Sequence, residues 1–318
     1  MRKINIALWG IGQHAVKKIL PAITNCKSLN LYGLFSRNKK GLNKNKKKFK
    51  CKIWPSYDQM LKDSNIDVVY LSTPIGLHFE QAKKILSFNK HIWIEKSLAR
   101  NYKEVSQLIA LAKRKKKAIC EAFMYSYHPQ FIYLKDMLNK KSIGNIKKVE
   151  IYFGFPHLKK NDWRYNNKLG GGAILDNGCY PVSAILKLFS NQIKIIYKNL
   201  NINKNKVDLD GLALLKIQKK IFCYINWGFG HAYRNEIIIW GEEGKLYADK
   251  FFSKPNNINS KIFITKNFKT SIKKFPKANH FELMLNNFVY TINDNKFRKK
   301  HYELCLEQSY LISKIKNG

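Results

Sequence analysis

Three groups of residues in this chain have types and spacings that can do chemistry. In Gly10-Ile11-Gly12-Gln13-His14-Ala15 the small residues follow the spacing G-x-G-x-x-[G/A]. The first glycine turns the chain sharply, the second lets the main chain approach a pyrophosphate, and a small third residue lets helix pack on strand. A helix opening near Gln13 aims free N–H groups and the positive end of its dipole at that phosphate. Lys96, at the end of the apolar run His91–Lys96, can hydrogen-bond a substrate oxygen, although a surface lysine reads equally well in so basic a chain. Asp176 and Tyr180 stand four apart just after Gly170-Gly171-Gly172, so they share a helix face and put a carboxylate beside a phenol. A capping Asp and a core Tyr is the ordinary reading of such a pair.

The elements that must position these groups alternate in the first half. Strands are expected at Ile4–Trp9, Leu29–Phe35, Ile53-Trp54, Asp67–Ser72, His91–Lys96 and Ala118–Phe123. Helices are expected at about 13–25, then at Lys39–Lys50, Tyr57–Lys62, Leu77–Phe88 and Asn101–Lys116. Continuous apolar strands between helices predict a doubly wound parallel sheet, with ligands at its carboxyl edge. Thr73-Pro74 falls at that edge, and His78, at the next helix start, reads as a cap or a cofactor neighbour. The second strand ends in Ser36-Arg37 instead of an acidic residue; a hydroxyl and a guanidinium suit a ribose 2′-phosphate and so NADP(H) over NAD(H).

Past Glu121 the alternation stops. Helices at Pro129–Lys141 and Ala173–Phe189 are interleaved with strands at Ile146–Phe155, Ile193–Ile202, Leu212–Ile217, Ile221–Trp227, Arg234–Trp240, Lys245–Ala248 and Lys261–Thr265. A tight hairpin falls at Gly241–Gly244, and helices Phe281–Ile292 and Tyr302–Lys316 follow. This predicts an α+β domain with a mostly antiparallel open sheet. The boundaries drawn are 1–122 and 123–318, with the triple glycine read as a flexible loop.

At 318 residues the chain suits two domains, and no run of 18 apolar residues marks a membrane span. The six cysteines are scattered without a C-x-x-C pair, which points to buried free thiols and the cytosol. The histidines show no ligand spacing, so no metal is expected. The net charge of +38 permits a polyanionic partner. Abundant Lys, Ile and Asn together equally fit a biased codon supply, and no aromatic stacking platforms accompany the lysines, so nucleic acid is not the expected partner.

Taken in order, the glycine turn, Thr73-Pro74 with His78, Glu95-Lys96, EAFMYSYHPQ (Glu121–Gln130) and GGGAILDNGCYP (Gly170–Pro181) resemble the glucose–fructose oxidoreductase / inositol dehydrogenase family of NAD(P)-dependent oxidoreductases. The resemblance covers essentially the whole chain. It implies that the first domain holds the dinucleotide, and that Lys96 and Tyr180 are the catalytic groups, with Tyr180 where many members carry His. Asp176 is expected to join these catalytic groups by positioning the substrate or the lysine, His128 is an expected substrate contact, and pairing through the second sheet into a homodimer or homotetramer is implied as well. The segment Gly228–Leu246 looks most like nucleotide-sugar 3-ketoreductases. The implied reaction is hydride transfer between NADP(H) and a carbonyl or hydroxyl carbon of a sugar or nucleotide sugar. Tyr180 gives the proton, and Lys96 stabilises the oxygen and favours phenolate. Dehydrogenation of a free sugar or diol and a non-catalytic dinucleotide sensor are the alternatives. Two departures stand out: Ser97 replaces the proline of Glu-Lys-Pro, which often follows a cis bond, and Ser126 replaces a common basic residue.

Overall fold

Short apolar strands build the first sheet. β1 (Ile4–Trp9), β2 (Leu29–Phe35), β3 (Lys52–Ile53), β4 (Val68–Leu71), β5 (His91–Ile94) and β6 (Ile119–Glu121) pair in parallel, in the order β3-β2-β1-β4-β5-β6. The chain reverses direction of travel between β1 and β4, which makes the carboxyl ends of those two strands the ligand crevice of such a sheet. The structure is a computed structural model and describes residues 2–189 and 192–317. β4 is buried along its whole length because helices cover both faces. Ala7, Val69, Leu71, Ile85, Ile92, Ile94 and Leu108 form the core, each large aliphatic side chain contributing roughly 1.5–3 kcal/mol on burial.

The helices of this unit are α1 (Leu20–Asn25), α2 (Lys39–Phe49), α3 (Tyr57–Lys62), α4 (Ile75–Ser87) and α5 (Tyr102–Arg114). Asn38, Ser56 and Asn101 start α2, α3 and α5 by accepting from the N–H groups of Gly41, Gln59 and Glu104. A wide π-turn, Ala15–Ile19, precedes α1 where one regular helix is expected.

In the second unit eight strands order as β14-β13-β12-β11-β7-β10-β9-β8. They are β7 (Ile146–Phe155), β8 (Ile193–Ile202), β9 (Asp208–Ile217), β10 (Ile221–Phe229), β11 (Arg234–Gly241), β12 (Gly244–Asp249), β13 (Lys261–Lys266) and β14 (Lys269–Lys274). Every pairing is antiparallel except β7 with β10. β14 escapes sequence reading because KTSIKK is exposed at every position and shows no apolar alternation; its lysines mark a charged sheet edge. α6 (Pro129–Asn139) and α7 (Cys179–Leu188) belong here. Val149, Ile151, Cys223, Ile225 and Trp227 fill one side of the sheet. On the other, Phe222, Lys148 and Trp240 align across three strands, as do Asn226, Tyr152 and Glu236.

The single boundary at residue 122 needs correction. Residues up to Ala122 form one unit together with Phe281–Ser309, and Phe123–His280 form the other with the residues from Tyr310 onward. After α8 (His280–Phe288) and α9 (Tyr290–Asn293), the last helix, α10 (Asn295–Asn317), begins seven residues earlier than its apolar pattern implies. Asp294 caps it by accepting from Phe297 N at 3.0 Å. Arg298 then donates to the carbonyls of Thr291, Ile292 and Lys116, and the Tyr302 hydroxyl donates to Lys117 O at 2.5 Å. Satisfying buried carbonyls in this way ties 281–309 to the end of the first sheet. All six cysteines are free and buried.

Lys254 is buried in the second unit and donates to Gln130 Oε1 at 2.5 Å, while Gln130 Nε2 donates to the carbonyls of Asp249 and Lys261. Burial pushes the ammonium down to about 7. The unfolded chain therefore binds more protons between about pH 7 and 10.5, and stability contributed at this position rises with pH across that window. Lys254→Met should remove that rise, so the Tm difference between variant and parent shrinks from pH 7 to 10; a constant difference in calorimetry would exclude a buried titrating amine.

Candidate active site

At the crevice of the first sheet Gly10 adopts φ +100°, and a Cβ there would stand 2.4 Å from Ser72 O. Only glycine lets β1 turn this close to the end of β4. A Cβ on Gly12 would meet nothing within 4 Å, so the main chain of that turn is open to an approaching pyrophosphate. Ala15 is fully buried against the strand. At the end of β2 Ser36 is half-buried and its hydroxyl accepts from Asn38 N at 3.2 Å, whereas Arg37 is exposed. The Arg37 guanidinium has no ion pair or hydrogen bond among the described residues. The residues present therefore fit a dinucleotide with a phosphorylated ribose.

The loop around Lys96 is pinned on every side. The Tyr70 hydroxyl donates to Glu95 Oε1 at 2.7 Å, and His14 Nε2 lies 3.2 Å from the same oxygen. Burial pushes the Glu95 carboxyl up, but His14 and Tyr70 outweigh it and hold it below the ordinary carboxylate range. His78, the fourth residue of α4, is fully buried; Nδ1 lies 2.9 Å from Ser97 O and Nε2 2.8 Å from Thr73 O. Burial lowers its pKa against the pull of those carbonyls. A neutral imidazole carries one N–H, so His78 lies between Thr73 and Ser97 and donates to one of the two carbonyls. Thr73 Oγ1 donates to Gln81, and Pro74 leads directly into α4. Leu98 N donates to Glu121 Oε1 at 2.8 Å. The Lys96-Ser97 peptide is cis even without proline, and Lys96 is half-buried.

In the second unit the triple glycine is packed, which corrects its reading as a flexible loop. Gly170, Gly171 and Gly172 are buried and donate to the carbonyls of Asn167, Asn166 and Arg164. Gly172 adopts φ +126° with Asp208 Oδ1 where a Cβ would sit, and Asp208 Oδ2 accepts from Ile174 N at 2.6 Å. A carboxylate on β9 thus satisfies the opening N–H of the next helix. That helix starts as a π-turn, Ile174–Gly178, before α7, a distortion frequent at functional sites. Asn177 bridges the carbonyls of Phe153 and Gly228, locking the turn onto β7 and β10.

Asp176 and Tyr180 lie on this helix start and are 5% and 6% exposed. Arg164 Nε donates to Asp176 Oδ2 at 2.7 Å. The Tyr180 ring is enclosed by Phe123, Tyr125, Phe153 and Phe252 at 5.1–5.9 Å, and its hydroxyl donates to Met124 Sδ at 3.7 Å. A thioether is a weak hydrogen-bond acceptor. Ser126, in the same segment, turns inward to Phe123 O.

His128 is buried at the start of α6. It is 1% exposed, its Nδ1 accepts from Gln130 N to start α6, and its Nε2 lies 3.5 Å from Ser260 Oγ. Burial, with Lys254 nearby, pushes it down to about 3. Sequence reasoning missed Arg164, Asp208, Tyr70 and Met124. Of these only Arg164, in Asp162-Trp163-Arg164 just ahead of the triple glycine, carried a sequence signal.

Residues 4–123 match the model of the GFO/IDH/MocA oxidoreductase family's NAD-binding Rossmann fold, and residues 131–247 match the GFO/IDH/MocA C-terminal domain. The chain is 30% identical over 257 residues to a dTDP-3,4-didehydro-2,6-dideoxy-alpha-D-glucose 3-reductase of Saccharopolyspora spinosa, covering 80% of this chain and 77% of that one. It is 27% identical to a trans-1,2-dihydrobenzene-1,2-diol dehydrogenase of Xenopus laevis, over 65% and 63% of the two chains. A solved 3-ketoreductase of Actinomadura kijaniata, in complex with NADP and TDP-benzene, superimposes with a TM-score of 0.95 at 25% identity, covering 100% of this chain and 98% of that one. With both domain models matched, a sheet order of this kind and a glycine turn open to pyrophosphate, the chain belongs to the GFO/IDH/MocA family of oxidoreductases.

Proposed function

We propose that this protein is an NADPH-dependent reductase of a keto sugar carried on a nucleotide, acting at a ring ketone as the 3-ketoreductases do. The observation that carries this reading is the union, in one chain of that family, of a pyrophosphate-ready turn ending near Ser36-Arg37 with Lys96 and Tyr180. Gly10, Ile11, Gly12, Gln13 and His14 take the pyrophosphate with main-chain N–H groups and the helix dipole. Ser36 and Arg37 take the 2′-phosphate, and Thr73, Pro74, His78 and Glu95 shape the edge beside the nicotinamide. When bound, the reduced dinucleotide supplies a hydride. Tyr180 protonates the oxygen of the reduced carbonyl, and Lys96 stabilises the negative charge that builds there. Asp176 accepts from a substrate hydroxyl and orients the sugar. In the oxidative direction the same groups act in reverse, and the similarity to the dihydrodiol dehydrogenase keeps oxidation of a diol as the second reading.

The open face of the second sheet, where Phe222 and Trp240 are 43% and 51% exposed, is the surface through which two copies pair. Among the described residues no helix is long and apolar enough to cross a membrane. With six free buried thiols the cytosol is the compartment we assign. The net charge of +38 is assigned no nucleic-acid role; it draws phosphorylated ligands to the surface.

Fluorescence titration should show NADPH binding well ahead of NADH, and Arg37→Ala should weaken NADPH about 10- to 100-fold, the worth of a charge-assisted hydrogen bond. Equal affinity for both cofactors in the parent protein would remove the 2′-phosphate assignment. Tyr180→Phe should cut turnover of a dTDP-keto sugar by about 10²–10⁴-fold while NADPH affinity stays at the parent value; parent-level turnover in the variant refutes the proton-donor role. Trp240→Glu should shift the mass measured by light scattering from an oligomer to the monomer, and an unchanged mass would clear this face of pairing.

A further inference from the structure

We propose that Arg164 is a positioning residue that keeps the Asp176 carboxylate ionised and aimed, four residues ahead of Tyr180; this rests on the reading of Asp176 and Tyr180 as substrate-handling groups.

The turn that carries Arg164 is held by contacts of its own. Asp162 accepts from Arg164 N at 3.0 Å and starts a short 3₁₀ turn, Trp163–Tyr165. The Tyr165 hydroxyl accepts from Leu158 N at 3.1 Å, and its ring packs edge-on against Phe229 at 5.8 Å. Gly172 N donates to Arg164 O at 3.0 Å, and a Cβ on Gly171 would stand 2.4 Å from that same oxygen. The glycine run is therefore the floor on which this turn rests. It also explains why side chains are excluded just ahead of the helix that bears Asp176 and Tyr180.

The Arg164 guanidinium stacks over the Trp163 ring at 4.8 Å, and its Nη1 faces both oxygens of Asp162 at 3.2 and 3.4 Å. Two acidic side chains, Asp162 and Asp176, face the one guanidinium, which disfavours a phosphate ligand at Arg164. The cluster favours an acidic hydrogen-bond acceptor for a sugar hydroxyl. A carboxylate as buried as Asp176 takes up a proton unless a cation faces it. Asp162, on the adjoining turn, and Asp208, whose carboxylate meets Ile174 N, are the other acidic groups at this helix start; like charges raise a carboxyl's proton affinity, and a facing guanidinium such as Arg164 opposes that. Cys179 and Tyr180 are the other titratable groups nearby on its own helix. Burial alone would lower the Arg164 pKa, yet Asp176 and Asp162 together raise it.

The test is a carboxyl ¹³C NMR titration of protein labelled at Asp, with the Asp176 signal assigned by its loss in Asp176→Asn. In the parent the Asp176 carboxyl should stay ionised through neutral pH. In Arg164→Gln its midpoint should rise by about 1–3 units, and Arg164→Lys should restore part of that shift. The acid limb of kcat/KM for a dTDP-keto sugar should move upward with it, with kcat falling more than KM rises. A merely structural loss would lower activity evenly across pH. An Asp176 midpoint unchanged in Arg164→Gln overturns the proposal, as does a parent Asp176 protonated at pH 7. If Arg164→Gln does not fold, Arg164→Lys decides through the same midpoint, which must lie above that of the parent. Absence of ketoreductase activity in the parent sinks the functional reading alone, because the NMR midpoint reports on Arg164 without substrate.

Discussion

The close approach of Gly10 to the main chain of Ser72 is the constraint from which the nucleotide edge follows. With a Cβ at position 10, the 2.4 Å gap to Ser72 O would push the ends of β1 and β4 apart. Those ends carry the whole binding edge. Ser72 N donates to Trp9 O, Gly10 N donates to Phe35 O, and the turn at Gly12 opens toward solvent from that frame. One missing methyl group thus sets where three strands finish. Three strand ends then set where the main chain of the glycine turn is left open.

A second rule recurs in both units: the residues proposed to do chemistry stand on segments fastened by hydrogen bonds to groups distant in sequence. Lys96 sits between Glu95, held by Tyr70 and His14, and Ser97, held by His78. Asp176 and Tyr180 sit on a helix start fastened by Asp208, Asn177 and Arg164. A buried carbonyl or carboxylate without a partner costs about 1–3 kcal/mol, so each pin resists release. Loop residues next to chemistry are held this way because orientation errors of an ångström are expensive in rate.

The aromatic enclosure of Tyr180 completes this arrangement. Four rings surround the phenol and a thioether meets its hydroxyl. The π-turn just before it widens the helix where Asp176 must reach Arg164. The buried histidines go the other way. His128 and His78 are spent on carbonyls, hydroxyls and helix starts and hold the frame.

Sequence by itself determined what depends on local pattern. Apolar runs between helices named the parallel sheet and the glycine spacing named the turn, because periodicity and turn chemistry act over a few residues. It also placed Tyr180 and Asp176 on one helix start. Tertiary structure alone decided what long-range packing controls. It showed that residues 281–309 return to the first sheet through Arg298 and Tyr302, and that KTSIKK pairs as an edge strand without any apolar signal. It turned the glycine run from a flexible loop into a floor for Arg164, and it buried His128 at a helix start. Each of these is settled by which distant carbonyl or carboxylate a side chain satisfies, and no local pattern of residues encodes that choice.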